Sequence, residues 1–233
     1  MTEMTSPHRV SHGTASPTST VSAGLRAGQA RRFGRELGYL LTGLPLGIAA
    51  FVVAVTGFSF GLGTLVVWLG LPVLVGLLRA ARGFARVERR RVESVTGRAL
   101  PPHHYRERGG SGLGGLVRAL GDPQSWRDLL HMVVAFPARV VGFCLALTWT
   151  VGAAGELLYV TWSWAVPRDG DDQSLLDLMF GVDSRVADIA FNTGIGVLMA
   201  ASAIPVIRAL VALQSGLARG LLTNRYAAER ARR

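Results

Sequence analysis

LGYLLTGLPLGIAAFVVAVTGFSFGLGTLVVWLGLPVLVGLL, Leu37 to Leu78, runs for 42 residues without one charged side chain. As a single helix it would measure roughly 63 Å, about twice the hydrocarbon thickness of a bilayer. The stretch must therefore reverse. Gly57, Gly61 and Gly63 around Phe58-Ser59-Phe60 offer the place, because glycine relaxes the backbone and a serine interrupts the apolar run. We read Tyr39–Phe58 and Phe60–Leu78 as two membrane-spanning helices joined by a very tight turn.

The rest of the composition agrees with a membrane protein. The chain has 233 residues, of which 49% are hydrophobic and only 17% charged, and its mean hydropathy is positive. All 25 basic residues are arginine and the net charge is +10. Such a charge suits nucleic acid or a membrane surface. Here the arginines flank apolar spans, so they are read as setting orientation, and no nucleic-acid partner is expected. The single Cys144 lies in an apolar span and allows no intrachain disulfide. No cleaved leader is expected, since the first apolar run begins near residue 37 and is too long for one.

Working outward, residues 1–34 are rich in Ser, Thr, Pro and Gly and read as a disordered cytoplasmic tail; His8 and His12 are solvated there. Arg31, Arg32 and Arg35 mark the cytoplasmic entry to a transmembrane hairpin over 35–80. Gly43 and Gly47, four apart, allow close helix approach, either within the bundle, which we favour, or at a dimer seam. Pro45 and Pro72 should kink their helices. Residues 81–121 form a basic cytoplasmic helix followed by a Gly/Pro linker. Six arginines and one acid, Glu88, lie between Arg79 and Arg91. Phe84, Val87, Arg91 and Val95 share a stripe, which suggests an amphipathic helix on anionic headgroups, with Arg89, Arg90 and Arg91 as anchors. Gly110 to Gly115 matches a dinucleotide fingerprint in form alone, because no strand precedes it. The His103–His104 pair lacks further ligands nearby.

Residues 122–137 read as an interfacial helix, with Asp122 as N-cap, Pro123 at the first helical position and Trp126 at headgroup level. A third span and an outer aromatic belt of Tyr159, Trp162 and Trp164 occupy 138–166, and Arg139 snorkels at the inner end. An acidic extracytoplasmic loop covers 167–188. Within it, Ser174–Phe180 reads as a short surface helix. A fourth span covers 189–213, with Gly196 and Ala200 as a close-packing pair and Pro205 as a kink, and a basic cytoplasmic tail covers 214–233. The fold class is thus all-α integral membrane: four transmembrane helices in two hairpins, interfacial helices, and both termini cytoplasmic.

Candidate functional residues are few. Glu156 is the acid placed deepest in apolar sequence; it is either a sensing group or a structural partner of Asn192 or Thr193. Asp169, Asp171 and Asp172 resemble a cation loop only loosely. Arg208 lies near the inner end of the last span. No buried acid–base pair, His/Cys cluster, nucleophile elbow or phosphate loop is present in the sequence. We therefore expect no enzyme, no catalytic or metal residue and no cofactor.

Four stretches carry a resemblance: Tyr39 to Ile48, Gly61 to Pro72, Ala80 to Arg90 and Asp122 to Leu130. The Glu-Arg-Arg ending at Arg90 and the Asp-Pro-x-x-Trp-Arg-Asp beginning at Asp122 are its most specific pieces. Over residues 36–224 the chain resembles the membrane sensor domain found at the N-terminus of many actinobacterial sensor histidine kinases. The resemblance implies an input domain whose last helix drives a kinase, and a homodimer. The kinase part is absent from this sequence. The expectation is a sensor-like signal-relay protein of the cell membrane, acting on a histidine kinase or other cytoplasmic signalling partner in trans. The alternative is a non-sensing accessory subunit of a membrane complex; a transporter component is less favoured.

Overall fold

A computed structural model of the chain describes residues 17–101, 113–165, 178–179, 181 and 184–223. Among them are helices and no strand. Helix α1 (Pro17–Gly63) carries Pro45 without a break. Helix α2 is Gly70–Thr96 and α3 is Leu113–Leu120. Helix α4 (Pro123–Leu147) passes through a π-helical turn, Thr148–Gly152, into α5 (Ala153–Leu157). A short α6 (Tyr159–Trp162) follows, and α7 (Arg185–Leu222) completes the bundle. Residues 1–16, 102–112, most of 166–183 and 224–233 lie outside the described residues. So do the expectations for His8, His12, the histidine pair, the start of the glycine-rich match and the tail arginines beyond Thr223; residues 113–115 of the match belong to α3 and Arg219 belongs to α7. The same holds for most of the acidic loop and its surface helix.

The reversal of the apolar stretch falls later than its glycines suggest. Residues 57–63 are helical. A Cβ on Gly57 would sit 2.9 Å from Leu77 Cδ1, and one on Gly61 2.6 Å from Leu74 Cδ2. These glycines are notches that admit leucines of α2, so they keep the helix going where turn glycines would end it. The chain turns at Thr64–Leu69 instead. The Thr64 hydroxyl donates to Phe60 O (2.7 Å), Leu65–Val67 form a 3₁₀ turn, and Trp68 takes a left-handed φ of 62°. The Gly70 N–H then donates to Thr64 O (3.0 Å). Here glycine is required, because a Cβ on Gly70 would lie 2.2 Å from Gly61 O.

The expected span Phe60–Leu78 is therefore divided between two helices. The apolar part of α2, Gly70 to Leu78, is only about 13 Å long before Arg79. Among the described residues, three helices are long and apolar enough to cross a membrane: Arg26–Gly63, Pro123–Leu157 and Arg185–Leu222. The first includes residues expected in the disordered tail. Arg, Ala, Gln and Leu are good helix formers, and adding residues to an existing helix avoids the cost of a new nucleus. The Gly/Pro linker is likewise not wholly irregular, since its last residues form α3.

The interfacial helix and third span are one rod. Asp122 caps it as expected, its Oδ1 accepting from Gln124 N at 3.4 Å, and Pro123 follows. Pro137 lies inside the helix and does not end it. Phe136 stacks on Phe51 (4.5 Å between centroids), so packing against α1 carries the rod past the lost hydrogen bond. Trp126 meets Phe58 edge-on, Gly47 faces Arg139 and Leu40 faces Gly142. The rod therefore runs antiparallel to α1. It also runs antiparallel to α7, through Ala138 and Gln214, Trp149 and Ser202, and Tyr159 and Asp188.

This direction of packing corrects one further expectation. The α1–α2 reversal lies beside the start of the rod and the Tyr159–Asp188 contact beyond its end. The rod is about 52 Å long, against roughly 30 Å of bilayer hydrocarbon, so the turn and the Tyr159–Asp188 contact, expected on one face, lie toward opposite ends of the bundle. Both α1 and α7 oppose the rod, so they run parallel, and Pro17 and Leu222 lie toward opposite ends of the bundle.

The buried stripe of α2 is also rotated from the expected one. Ala81, Ala85, Glu88, Arg89 and Val92 are buried, whereas Val87 is 45% exposed. A lipid-surface helix would bury its apolar stripe in headgroups; α2 buries small and ionic residues against α1 and the rod.

Gly70→Ala should lower the unfolding temperature in detergent, with a loss of about 1–3 kcal/mol for overpacking against backbone. Gly63→Ala, with nothing within 4 Å of the added atom, should leave it unchanged or raise it. Equal effects would show that the turn does not pack as described.

Candidate functional site

The polar centre of the bundle is built around Glu88. Its Oε1 accepts the Tyr39 hydroxyl at 2.9 Å. Its Oε2 is 3.0 Å from Arg91 Nη1 and 2.9 Å from Arg139 Nη2. Arg91 Nη2 also donates to Tyr39 O (2.7 Å) and Thr42 Oγ1 (3.0 Å). One carboxylate thus ties α1, α2 and α4 together. Burial by itself pushes the Glu88 carboxyl up. Arg139 and Arg91, with the Tyr39 hydroxyl, outweigh it and hold the group below the usual carboxylate range.

Glycines make the room. A Cβ on Gly47 would lie 2.8 Å from Arg139 Cδ, and one on Gly43 3.5 Å from Arg91 Nη2. The Gly43/Gly47 pair therefore receives arginine stems from within this bundle. On the far side, Gln214 Nε2 donates to Ala138 O (3.2 Å) across Gly142, where an added Cβ would meet it at 2.2 Å. That contact brings α7 to the same centre. His131 is buried within electrostatic reach of Glu88 and Arg139, and neither ring nitrogen has a hydrogen-bond partner among the described residues.

Arginines also hold the helix ends. Arg82 donates to Ser125 Oγ (2.6 Å) and to Asp122 Oδ2 (2.8 Å), fastening α2 to the start of the rod. Arg89 donates to Leu222 O (3.1 Å) and to Pro101 O. Arg127 donates to Gly220 O (3.2 Å). The last carbonyls of α7, the negative end of its dipole, are thus met by cations from two other helices.

From the centre, α7 follows the rod to its other end. Trp149 Nε1 donates to Ser202 Oγ (3.0 Å) within the π-helical turn, a wide turn found frequently at functional sites. A Cβ on Gly196 would lie 2.7 Å from Leu157 N, so the two backbones nearly touch. Ala200, its expected companion, is exposed, and Ala203 is buried instead. At the end, the Tyr159 hydroxyl donates to Asp188 Oδ2 (2.8 Å), and Asn192 Nδ2 donates to Asp188 O (2.9 Å) and Oδ1 (3.1 Å).

The residues singled out from sequence fall in different places. Glu156 lies beside Gly196, with its Oε2 buried and without a partner among the described residues; Asn192 turns to Asp188. Arg208 is half-exposed, its Nε 3.9 Å from Glu36 Oε2. Asp169, Asp171 and Asp172 lie outside the described residues. Trp126 donates to Leu120 O, Trp162 to Gly155 O and Trp164 to Thr161 O. Trp162 also packs edge-on against Tyr159. Of the three arginine anchors, Arg90 is exposed, Arg91 is in the ionic centre and Arg89 is buried on the end of α7. Sequence reasoning missed Glu88, Arg139 and Tyr39 as a unit. The available signal was a lone acid in a basic run and a lone arginine in an apolar helix. Among the described residues, no three His, Cys, Asp or Glu side chains gather as metal ligands.

The arrangement is one of helix coupling through charge. Glu88→Gln should leave Arg139 buried without its counter-ion and cost about 3–5 kcal/mol. The double variant Glu88→Gln/Arg139→Met should recover part of that loss in detergent melts. Because the folded carboxyl titrates below its unfolded value, its stabilisation is complete above the unfolded value and is lost as pH falls through the folded one. The wild type should therefore lose more stability than Glu88→Gln on acidification through that window.

Residues 39–222 match the family model described as "Putative sensor". No curated protein and no solved structure matches the chain.

Proposed function

The chain belongs to this sensor family, and from that premise we propose that it is a membrane-embedded signal-relay protein without catalytic activity of its own. The observation that carries the reading is the course of α7. One unbroken helix touches the Tyr159–Asp188 end, packs backbone to backbone at Gly196, and ends under two arginines beside the ionic centre. A displacement at Asp188 has a rigid path to Leu222.

In this reading the Tyr159–Asp188 end, with Glu156 and the acidic loop, faces outward and receives an envelope stimulus. The arginine run of α2 and the Leu222 end of α7 face the cytoplasm, since arginine bias sets orientation. The α7 end then acts on a cytoplasmic partner such as a histidine kinase in trans, consistent with the family's place as an input domain. Anionic headgroups on the cytoplasmic leaflet would attract the exposed arginines, Arg90 among them.

Chemical cross-linking in native membranes, with the chain tagged at its N-terminus, should capture a histidine kinase or response regulator. Replacing residues 167–185 by a neutral linker should abolish the stimulus-dependent response and leave protein abundance unchanged. Capture of only a transport or envelope complex, whose abundance falls on deletion, would replace the sensor reading with an accessory one. C-terminal reporters active only outside the cytoplasm would reverse the orientation.

A further inference from the structure

A second polar feature lies apart from the Glu88 centre. A cleft of about 660 Å³ opens between α1, the end of α2 and α7. Arg32, Arg35, Arg98, Arg208 and Arg219 line it, with Glu36 as its one acid. Gly97, at a φ of 65°, ends α2 and turns the chain so that Arg98 stands at the rim. The volume is that of small-molecule sites, which run from about 300 to 1,000 Å³.

The charges do not balance within the cleft. Glu36 Oε1 is 2.9 Å from Arg32 Nε, and its Oε2 is 3.9 Å from Arg208 Nε. One carboxylate is thus shared by two guanidiniums. Among the described residues, Arg35, Arg98 and Arg219 have no carboxylate partner. The Arg219 Nε is shielded from solvent and has no hydrogen-bond partner among the described residues. A buried, charged donor without an acceptor is costly. The cleft therefore sets five guanidiniums against one carboxylate, and an acceptor seated at the Arg219 Nε would also face the exposed Arg35 and Arg98 on two other elements.

We propose that this cleft is a binding site for a phosphate-bearing ligand. A carboxylate has one charge and two oxygens and serves one guanidinium fork. A terminal phosphate or a diphosphate offers more charge and at least three oxygens in different directions, which suits several forked donors at once. The headgroup of an anionic phospholipid and a soluble phosphorylated compound share this chemistry. Either would bridge α1, the end of α2 and α7. The site stands on the cleft alone and goes beyond the relay reading, so it holds whichever partner α7 contacts.

The test uses the full chain in neutral phosphatidylcholine nanodiscs, titrated with pyrophosphate by calorimetry at constant ionic strength. In parallel, native mass spectrometry counts phosphatidic acid retained from mixed-lipid discs. Arg35→Gln/Arg98→Gln changes two exposed side chains and should leave the fold intact by circular dichroism; Arg219→Gln tests the buried donor. Arg185→Gln, exposed at the far start of α7 and outside the cleft, is the control. We expect the double variant and Arg219→Gln to weaken binding roughly tenfold or more, and Arg185→Gln to leave it unchanged. Pyrophosphate binding in neutral discs identifies a soluble ligand; lipid retention without pyrophosphate binding identifies a headgroup. If neither ligand binds, or if Arg185→Gln weakens binding as much as the double variant, the site is overturned in favour of diffuse charge.

Discussion

Arg139 sits in the middle of an apolar rod, is 4% exposed, and survives there because Glu88 meets it at 2.9 Å. Much of the bundle follows from this pair. The carboxylate fixes the register of α2 against the rod, since sliding either helix by a turn would strand a charge. Tyr39 and Arg91 use its remaining acceptor capacity and bring α1 to the same level. Gly43, Gly47 and Gly142 are small because arginine and glutamine side chains need the volume. Such a pair contributes little net stability compared with well-packed apolar residues; its effect is to penalise every other alignment.

The helical, membrane-type fold was legible because 42 uncharged residues and two further apolar runs leave few alternatives. The place of the reversal was not. Gly57 and Gly61 are compatible with a turn or with a notch for a neighbouring helix, and only the partner decides. Leu74 and Leu77 decide for the notch. The start of the rod was readable from Asp122 and Pro123, since capping is local chemistry. That the rod passes Pro137 was not readable, since it depends on Phe51 and other residues far away in sequence.

The polar centre was illegible for a related reason. Arginines near apolar spans usually report orientation, and by that rule Arg89, Arg91 and Arg139 alike are cations reaching for headgroups. It considers each side chain against solvent and lipid. Here Arg89 meets carbonyls and Arg91 and Arg139 meet a carboxylate, all contributed across the bundle. By contrast, the close approach at Gly196 was visible in the sequence, because a small residue on an apolar helix has few other uses.

The end of α7 has a consequence of its own. In a longer helix, Gly220 O and Leu222 O would accept the N–H groups four residues ahead. Here they accept Arg127 and Arg89, and Thr223 is already extended. Winding further residues onto α7 would place backbone donors in competition with two guanidiniums. The length of the last helix is thereby an exchange equilibrium between donors, set as much by α2 and α4 as by the residues that would be wound.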